Sequence, residues 1–204
     1  SDYALRIASD GLSRPVITGY FQGTTNLGGA ALTSAGGNDV FLAQYNSSGS
    51  HSWSQAFGGT GDDQAQGLGT DGTGTVVMTG AYSATASFGG ASLTSSGSRD
   101  IFVARYSSAG VHEWSRGFGN TLSDYGKDVG IDGSGNVVLT GYFYGTVNFG
   151  GWPLTNPSGS DVFLAKYNAS GTHLWSRNFS GTSSNYACSV DITADGSLLL
   201  ADRN

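Results

Sequence analysis

Residues 161–175 read D-V-F-L-A-K-Y-N-A-S-G-T-H-L-W, and close copies of this stretch occupy 39–53 and 100–114. The leading aspartates (39, 100 and 161) and the closing tryptophans (53, 114 and 175) therefore both recur every 61 residues without a gap. A strict period of this kind outranks local propensity, because each repeat is a unit that buries its apolar face on the next. The 204 residues thus read as one body with a continuous core. Its units span 1–59, 60–120 and 121–181, with an incomplete fourth at 182–204.

Each unit carries four strand patterns. Residues 2–7, D-Y-A-L-R-I, return at 63–68, 124–129 and 185–190. Larger side chains alternate there with the small Ala4, Ala65, Gly126 and Ala187, the mark of a strand crowded by a close neighbour, and we read it as the innermost of the unit. Asp-Gly follows at 10–11, 71–72 and 132–133, a hairpin signal. In the fourth copy Asp195-Gly196 stands two positions later, and Thr193 takes the place of the aspartate.

The second strand, at 16–21, 76–82, 137–143 and from 198 onward, is continuously apolar around Thr18-Gly19, Thr79-Gly80 and Thr140-Gly141. Such a run is buried on both faces. A Gly-, Ser- and Thr-rich excursion comes next, with N-L-G-G, S-F-G-G or N-F-G-G from 26, 87 and 148, and Leu32, Leu93 or Leu154 to pin it to the body. The opening stretch supplies the third strand, with Phe163, Ala165 and Tyr167 on one face and Val162, Leu164 and Lys166 on the other. The fourth runs through H-L-W-S-R-N-F, where a regular strand puts His173, Trp175, Arg177 and Phe179 together. Four antiparallel strands per unit with no helical period make the blade of an all-β propeller; a β-helix has far shorter coils.

Composition agrees. Glycine, 34 of 204 residues, is about twice its usual ~7% but follows no G-X-Y rule, which favours turn-dense β structure. Charged residues make up 12%, roughly half of the usual ~25%. The formal charge of −6 repels phosphate backbones and anionic lipid, so neither nucleic acid nor membrane insertion is expected. No apolar run reaches the roughly 18 residues of a membrane-spanning helix. Cys188 stands alone, and its equivalents are Leu5, Gln66 and Lys127, so it reads as a small residue tolerated in a strand rather than a nucleophile. The scarcity of charge, Cys and Met suits an extracellular or cell-surface setting.

The segments D-G-S-G-N-V-V-L-T-G-Y-F from Asp132, N-F-G-G from Asn148 and D-V-F-L-A-K-Y-N-A-S-G from Asp161, with Trp175, resemble the bacterial SBBP, or "seven-bladed β-propeller", repeat family. The resemblance covers nearly the whole chain. It implies a propeller from a secreted or surface-exposed bacterial protein, with no catalytic activity common to the family.

His51, His112 and His173 are all the histidines present and stand 61 apart. Three equivalent imidazoles raise the question of a metal, but equivalent positions diverge from unit to unit, and a repeated residue answers a repeated packing need. We read each as a structural imidazole against the indole two residues on, and Trp53, Trp114 and Trp175 as wedges between units. Asp39, Asp100 and Asp161 read as acceptors for backbone amides at a loop end. Asp71 and Asp132 lack the acids of a calcium loop and read as turn residues. No nucleophile-elbow, zinc-protease or P-loop motif occurs, and no cofactor is expected.

Copies differ most in the third excursion. Trp152-Pro153 replaces Ala30-Ala31 and Ala91-Ser92, and Tyr144, next to Tyr142, replaces Gln22 and Ser83. Trp152, Tyr144 and Tyr142 are the candidates for stacking on a sugar or anchoring a protein partner, against a local hydrophobic plug as the plain alternative. The function expected is a non-catalytic scaffold, adhesion or self-assembly module, with a glycan-binding propeller as the alternative. Since the fourth copy stops after two strands, we further expect an excerpt of a longer polypeptide or copies that associate.

Overall fold

The computed structural model of the chain describes residues 2–181, 184–193 and 195–203, with the side chains of Cys188, Asp202 and Arg203 outside the described set. It is all-β, and the described residues contain no helix. The first unit contains β1 (Tyr3–Ser9), β2 (Pro15–Phe21), a short ribbon of β3 (Thr24–Thr25) and β4 (Leu32–Thr33), then β5 (Asp39–Tyr45) and β6 (His51–Gly59). The second repeats this order as β7 (Gln64–Thr70), β8 (Val76–Tyr82), β9 (Thr85–Ser87), β10 (Leu93–Thr94), β11 (Asp100–Tyr106) and β12 (His112–Phe118). The third does so again as β13 (Tyr125–Ile131), β14 (Val137–Phe143), β15 (Thr146–Val147), β16 (Leu154–Thr155), β17 (Asp161–Tyr167) and β18 (His173–Phe179). In the fourth, β19 (Tyr186–Ile192) pairs with β20 (Leu198–Arg203).

Within each of the first three units the long strands pair antiparallel in chain order, first to fourth. The excursion is the short ribbon, and in the second unit β9 also adds to the end of β6, which extends the first sheet to six strands. Successive sheets stack face to face. Val40, Leu42 and Phe57 of the first meet Met78, Phe102 and Ala104 of the second, while Val77, Ile101 and Val103 of the second meet Val129, Leu139 and Phe163 of the third. The alternation expected for the third strand is therefore present, and the middle sheet is buried on both sides, as its unbroken apolar second strand demands.

Two bulges break the simple period-2 reading. In the first strand the register shifts between Ala4 and Arg6, and likewise at 65/67, 126/128 and 187/189. Opposite this bulge sits the glycine of each Thr-Gly. A Cβ on Gly19, Gly80 or Gly141 would lie 1.8–1.9 Å from the carbonyl oxygen of Tyr3, Gln64 or Tyr125, so only glycine lets the bulged strand approach. The neighbouring threonine hydroxyls donate to the carbonyls of Phe41, Phe102 and Phe163 on the third strand, as in Thr140 to Phe163 at 2.8 Å. First strands of adjacent units lie side by side along one edge of the stack. There Lys127 Nζ donates to Gln66 Oε1 at 2.5 Å, and a Cβ on Gly67 would touch the backbone of Asp128.

The turn after the first strand is built by its aspartate, whose Oδ1 accepts two backbone amides: Leu12 and Arg14 on Asp10, Thr73 and Thr75 on Asp71, Ser134 and Asn136 on Asp132. The left-handed residue is the fourth of the turn, Ser13, Gly74, Gly135 and Gly196, and not the glycine beside the aspartate. Gly196 is thus in register with Gly135, and only the aspartate of the fourth copy has moved.

Candidate functional site

The third and fourth units meet at a cluster of tyrosines. Tyr125 on β13 faces Tyr142 on β14 across the strand pair, their rings 5.0 Å apart. Tyr186, which opens β19, abuts Tyr142 edge-on at 4.9 Å, and Tyr144, just past β14, lies at 6.3 Å from the same ring. With Leu122 and Ser123 these four rings line an open cleft of about 430 Å³.

Backbone bonds fix its walls. The buried Asp124 accepts the Tyr144 amide at 2.9 Å through Oδ1 and the Asn120 amide at 3.0 Å through Oδ2. Asn120 in turn donates to the Tyr144 carbonyl and accepts the Leu122 amide. Burial, with the neighbouring Tyr125 and Tyr144, pushes the Tyr142 phenol up to about 12. Burial and a bond to Tyr186 raise Tyr144, whereas Tyr186 is lowered by hydrogen bonds with Tyr144, Ser184 and Ser160. The Lys127 ammonium stands 5.7 Å from the Tyr142 ring centre. Neutral hydroxyls on flat rings, with a cation alongside, are the chemistry that stacks on and hydrogen-bonds to a sugar.

Of the three residues picked out in the sequence, the structure gathers Tyr142 and Tyr144 into this cleft and leaves Trp152 out of it. Trp152 is 90% exposed, in the loop where Gly150 and Gly151 lie against the His173 imidazole, so it is not a hydrophobic plug. Tyr125, Tyr186 and Leu122 were missed. The available signal was tyrosine at the same repeat position in Tyr3, Tyr125 and Tyr186, with Gln64 as the exception.

The histidines are held inside their own units. Each Nε2 bonds a serine hydroxyl, Ser54, Ser115 or Ser176, at 3.0–3.1 Å, and each ring meets Tyr45, Tyr106 or Tyr167 edge-on at 5.8–5.9 Å. The indole expected beside each of them is absent from these contacts, and a bulge is the reason. Trp53 pairs with Gln44 and His51 with Tyr45, adjacent residues that point to opposite faces; the same shift separates His112 from Trp114 and His173 from Trp175. The same tyrosines donate to the carbonyls of Leu27, Phe88 and Phe149 and so anchor the excursion together with Leu93 and Leu154, which pack on the core. Among the described residues no group of three His, Cys, Asp or Glu side chains is placed to hold a metal.

Trp53 and Trp114 hydrogen-bond to the next unit. Trp53 Nε1 donates to the Ser108 carbonyl at 3.3 Å and Trp114 Nε1 to that of Ala169 at 2.9 Å, each ring lying against the turn glycine Gly110 or Gly171. Trp175 packs against the cluster of Val138, Leu164 and Val190, which spans the third and fourth units, and borders an open cleft with Leu164 and Arg177. Asp39 and Asp100 each accept a loop amide, Ala35 at 2.8 Å and Ser96 at 2.9 Å, while Asp161 accepts the side-chain amide of Asn178.

No family model matches the chain, and no curated protein matches it.

Proposed function

We propose that the chain is part of a β-propeller of four-stranded blades that works as a non-catalytic, extracellular scaffold or adhesion module, in contact with further copies or with the rest of a longer chain. The observation that carries this reading is the use of its repeated polar residues. The histidines and the turn aspartates each make the same bonds in the first three units, so the fold already accounts for them. The resemblance to SBBP repeats points the same way. The test is a panel of hydrolase, lyase and oxidoreductase substrates together with light scattering and cell-surface binding of the purified protein. Association or surface binding without turnover is the expected outcome, and turnover of any substrate would overturn the proposal.

A second reading, glycan binding, rests on the tyrosine cleft. A glycan array with wild-type protein, Tyr142→Ala, Tyr186→Ala and Trp152→Ala separates the two. Binding lost in the tyrosine variants supports a lectin site in the cleft, loss in Trp152→Ala alone moves the site to the exposed loop, and silence leaves the scaffold.

A further inference from the structure

Neighbouring units meet in one repeated way. The first strand of each following unit rests mainly on the first and second strands of the unit before it: β7 on β1 and β2, β13 on β7 and β8, β19 on β13 and β14. Its apolar residue enters a shared core, Leu68 with Val16, Val129 with Val77 and Val190 with Val138. Its small residue sits over the threonine of the preceding Thr-Gly, so closely that a Cβ on Gly126 would lie 2.1 Å from Thr79 Oγ1. Edge bonds add to the contact: Thr70 donates its hydroxyl to the Ser9 carbonyl at 3.1 Å, and the Val190 amide donates to Asp128 at 3.0 Å.

Both halves of this interface also stand open. The head is β1, exposed at every residue but the half-buried Ala8. Ile7 is 72% exposed, whereas Leu68, Val129 and Val190 at the same repeat position are 8%, 3% and 8% exposed. Ala4 is exposed where Ala65, Gly126 and Ala187 are buried. The tail is the outer face of the β19–β20 pair. Leu198 and Leu200 pack inward on Val138 and Leu164, so Leu199 and Ala201 alternate outward. Leu199 is 58% exposed, whereas its counterparts Val16, Val77 and Val138 are fully buried, and Ala201 is exposed where Thr18, Thr79 and Thr140 are buried. A pair of strands is the platform on which a first strand rests inside the chain, and β19–β20 is such a pair.

Charge matches as well. The head carries Arg6, whose guanidinium bonds the Leu5 carbonyl, and the tail carries Asp191, whose carboxylate accepts the Ile192 amide. Neither joins an ion pair among the described residues. The repeat position of Asp191 borders the next first strand, since a Cβ on Gly69 would lie 2.6 Å from the carbonyl oxygen of Val129, one residue from Asp128, the counterpart of Arg6. Ala8, packed on the core of the first junction, shows that a side chain is accommodated there.

We propose that molecules of this chain associate head to tail, β1 of one on β19–β20 of the next, with Ile7 against Leu199, Ala4 over Ala201 and Arg6 beside Asp191. This contact gives the association proposed above its surface and rests on that reading. A second molecule is the occupant because its first strand is of the kind that already fills this seat at every internal junction. The two patches differ, so the contact is heterologous and repeats until a ring closes or a fibre grows.

The test is light scattering of the purified chain over a concentration series, repeated with Ile7→Asp as head variant and Leu199→Asp as tail variant, each verified as folded by circular dichroism. Wild-type mass should rise with concentration past that of two chains. Each variant alone should stay at the 20.9 kDa of one chain. Their equimolar mixture should reach twice that mass and no more, because each pair retains one intact head and one intact tail. Arg6→Asp and Asp191→Arg form a second pair if an apolar variant folds poorly: each alone should weaken association, and mixing should restore it. A wild-type monomer at every concentration overturns the proposal and leaves both faces to further units of one polypeptide, while turnover and cell-surface binding still decide the scaffold reading. Association that survives Ile7→Asp or Leu199→Asp, or a mixture that stays monomeric, overturns it too.

Discussion

Trp114 Nε1 donates to the carbonyl of Ala169 at 2.9 Å, a bond that spans 55 residues and joins the fourth strand of one unit to the last turn of the next. Trp114→Ala removes this bond and the ring packed on Gly171, at an expected cost of about 2–3 kcal/mol. Trp114→Phe keeps most of the packing and should cost about 1 kcal/mol. Trp175→Ala, whose indole borders an open cleft, should cost less than Trp114→Ala. Urea denaturation followed by circular dichroism measures all three, and equal costs for Trp114→Ala and Trp175→Ala would refute the wedge reading.

Gly80→Ala drives a methyl to 1.9 Å from the Gln64 carbonyl oxygen, and backbone on both sides prevents relief. A loss of at least about 3 kcal/mol is expected. Gly133→Ala, in open space with no positive φ, should change stability by no more than about 0.5 kcal/mol. Thermal unfolding of the pair distinguishes the bulge from general intolerance of substitution.

Two groups of aspartates have opposite pH effects. Asp63 and Asp124, raised from 3.8 to about 6 by burial, take up protons more readily when folded, so stability should rise as pH falls from 7 toward about 4.5. For Asp10, Asp71 and Asp132 burial works upward, but hydrogen bonds win and hold them below 3.8; the donors are Arg14 for Asp10, Thr73 and Thr75 for Asp71, and Lys166 and Asn136 for Asp132. Their contribution is complete above 3.8 and is lost as pH falls below it. Denaturant titrations should therefore show a maximum between about pH 4 and 5, with the rise from neutral pH reduced in Asp63→Asn. A stability that falls steadily from pH 7 would contradict this assignment.

Burial lowers the His112 pKa below its ordinary 6.5, and the Glu113 carboxylate partly offsets this. An NMR titration should place its midpoint under 6.5, and Glu113→Gln should move it lower still. An upward movement in the variant would show that Glu113 is not the offsetting charge.

The 61-residue period, with the strand patterns inside it, determined the all-β class and the four antiparallel strands per unit, because any element repeated so strictly has to meet its neighbour in one repeated way. It also marked Tyr144 and Trp152 as departures from the common pattern. Tertiary structure decided what lies beside what. Two separate bulges, invisible to a period-2 reading, turn His51 away from Trp53 and bring the Gly19 backbone against Tyr3. Tyr142 and Tyr186, 44 positions apart in the chain, share a cleft, and Asp39 meets Asp63 over Gly58, because the end of one sheet is folded onto the start of the next. Repetition encodes how each unit folds, but side chains from different units are brought together only by the stacking of sheets.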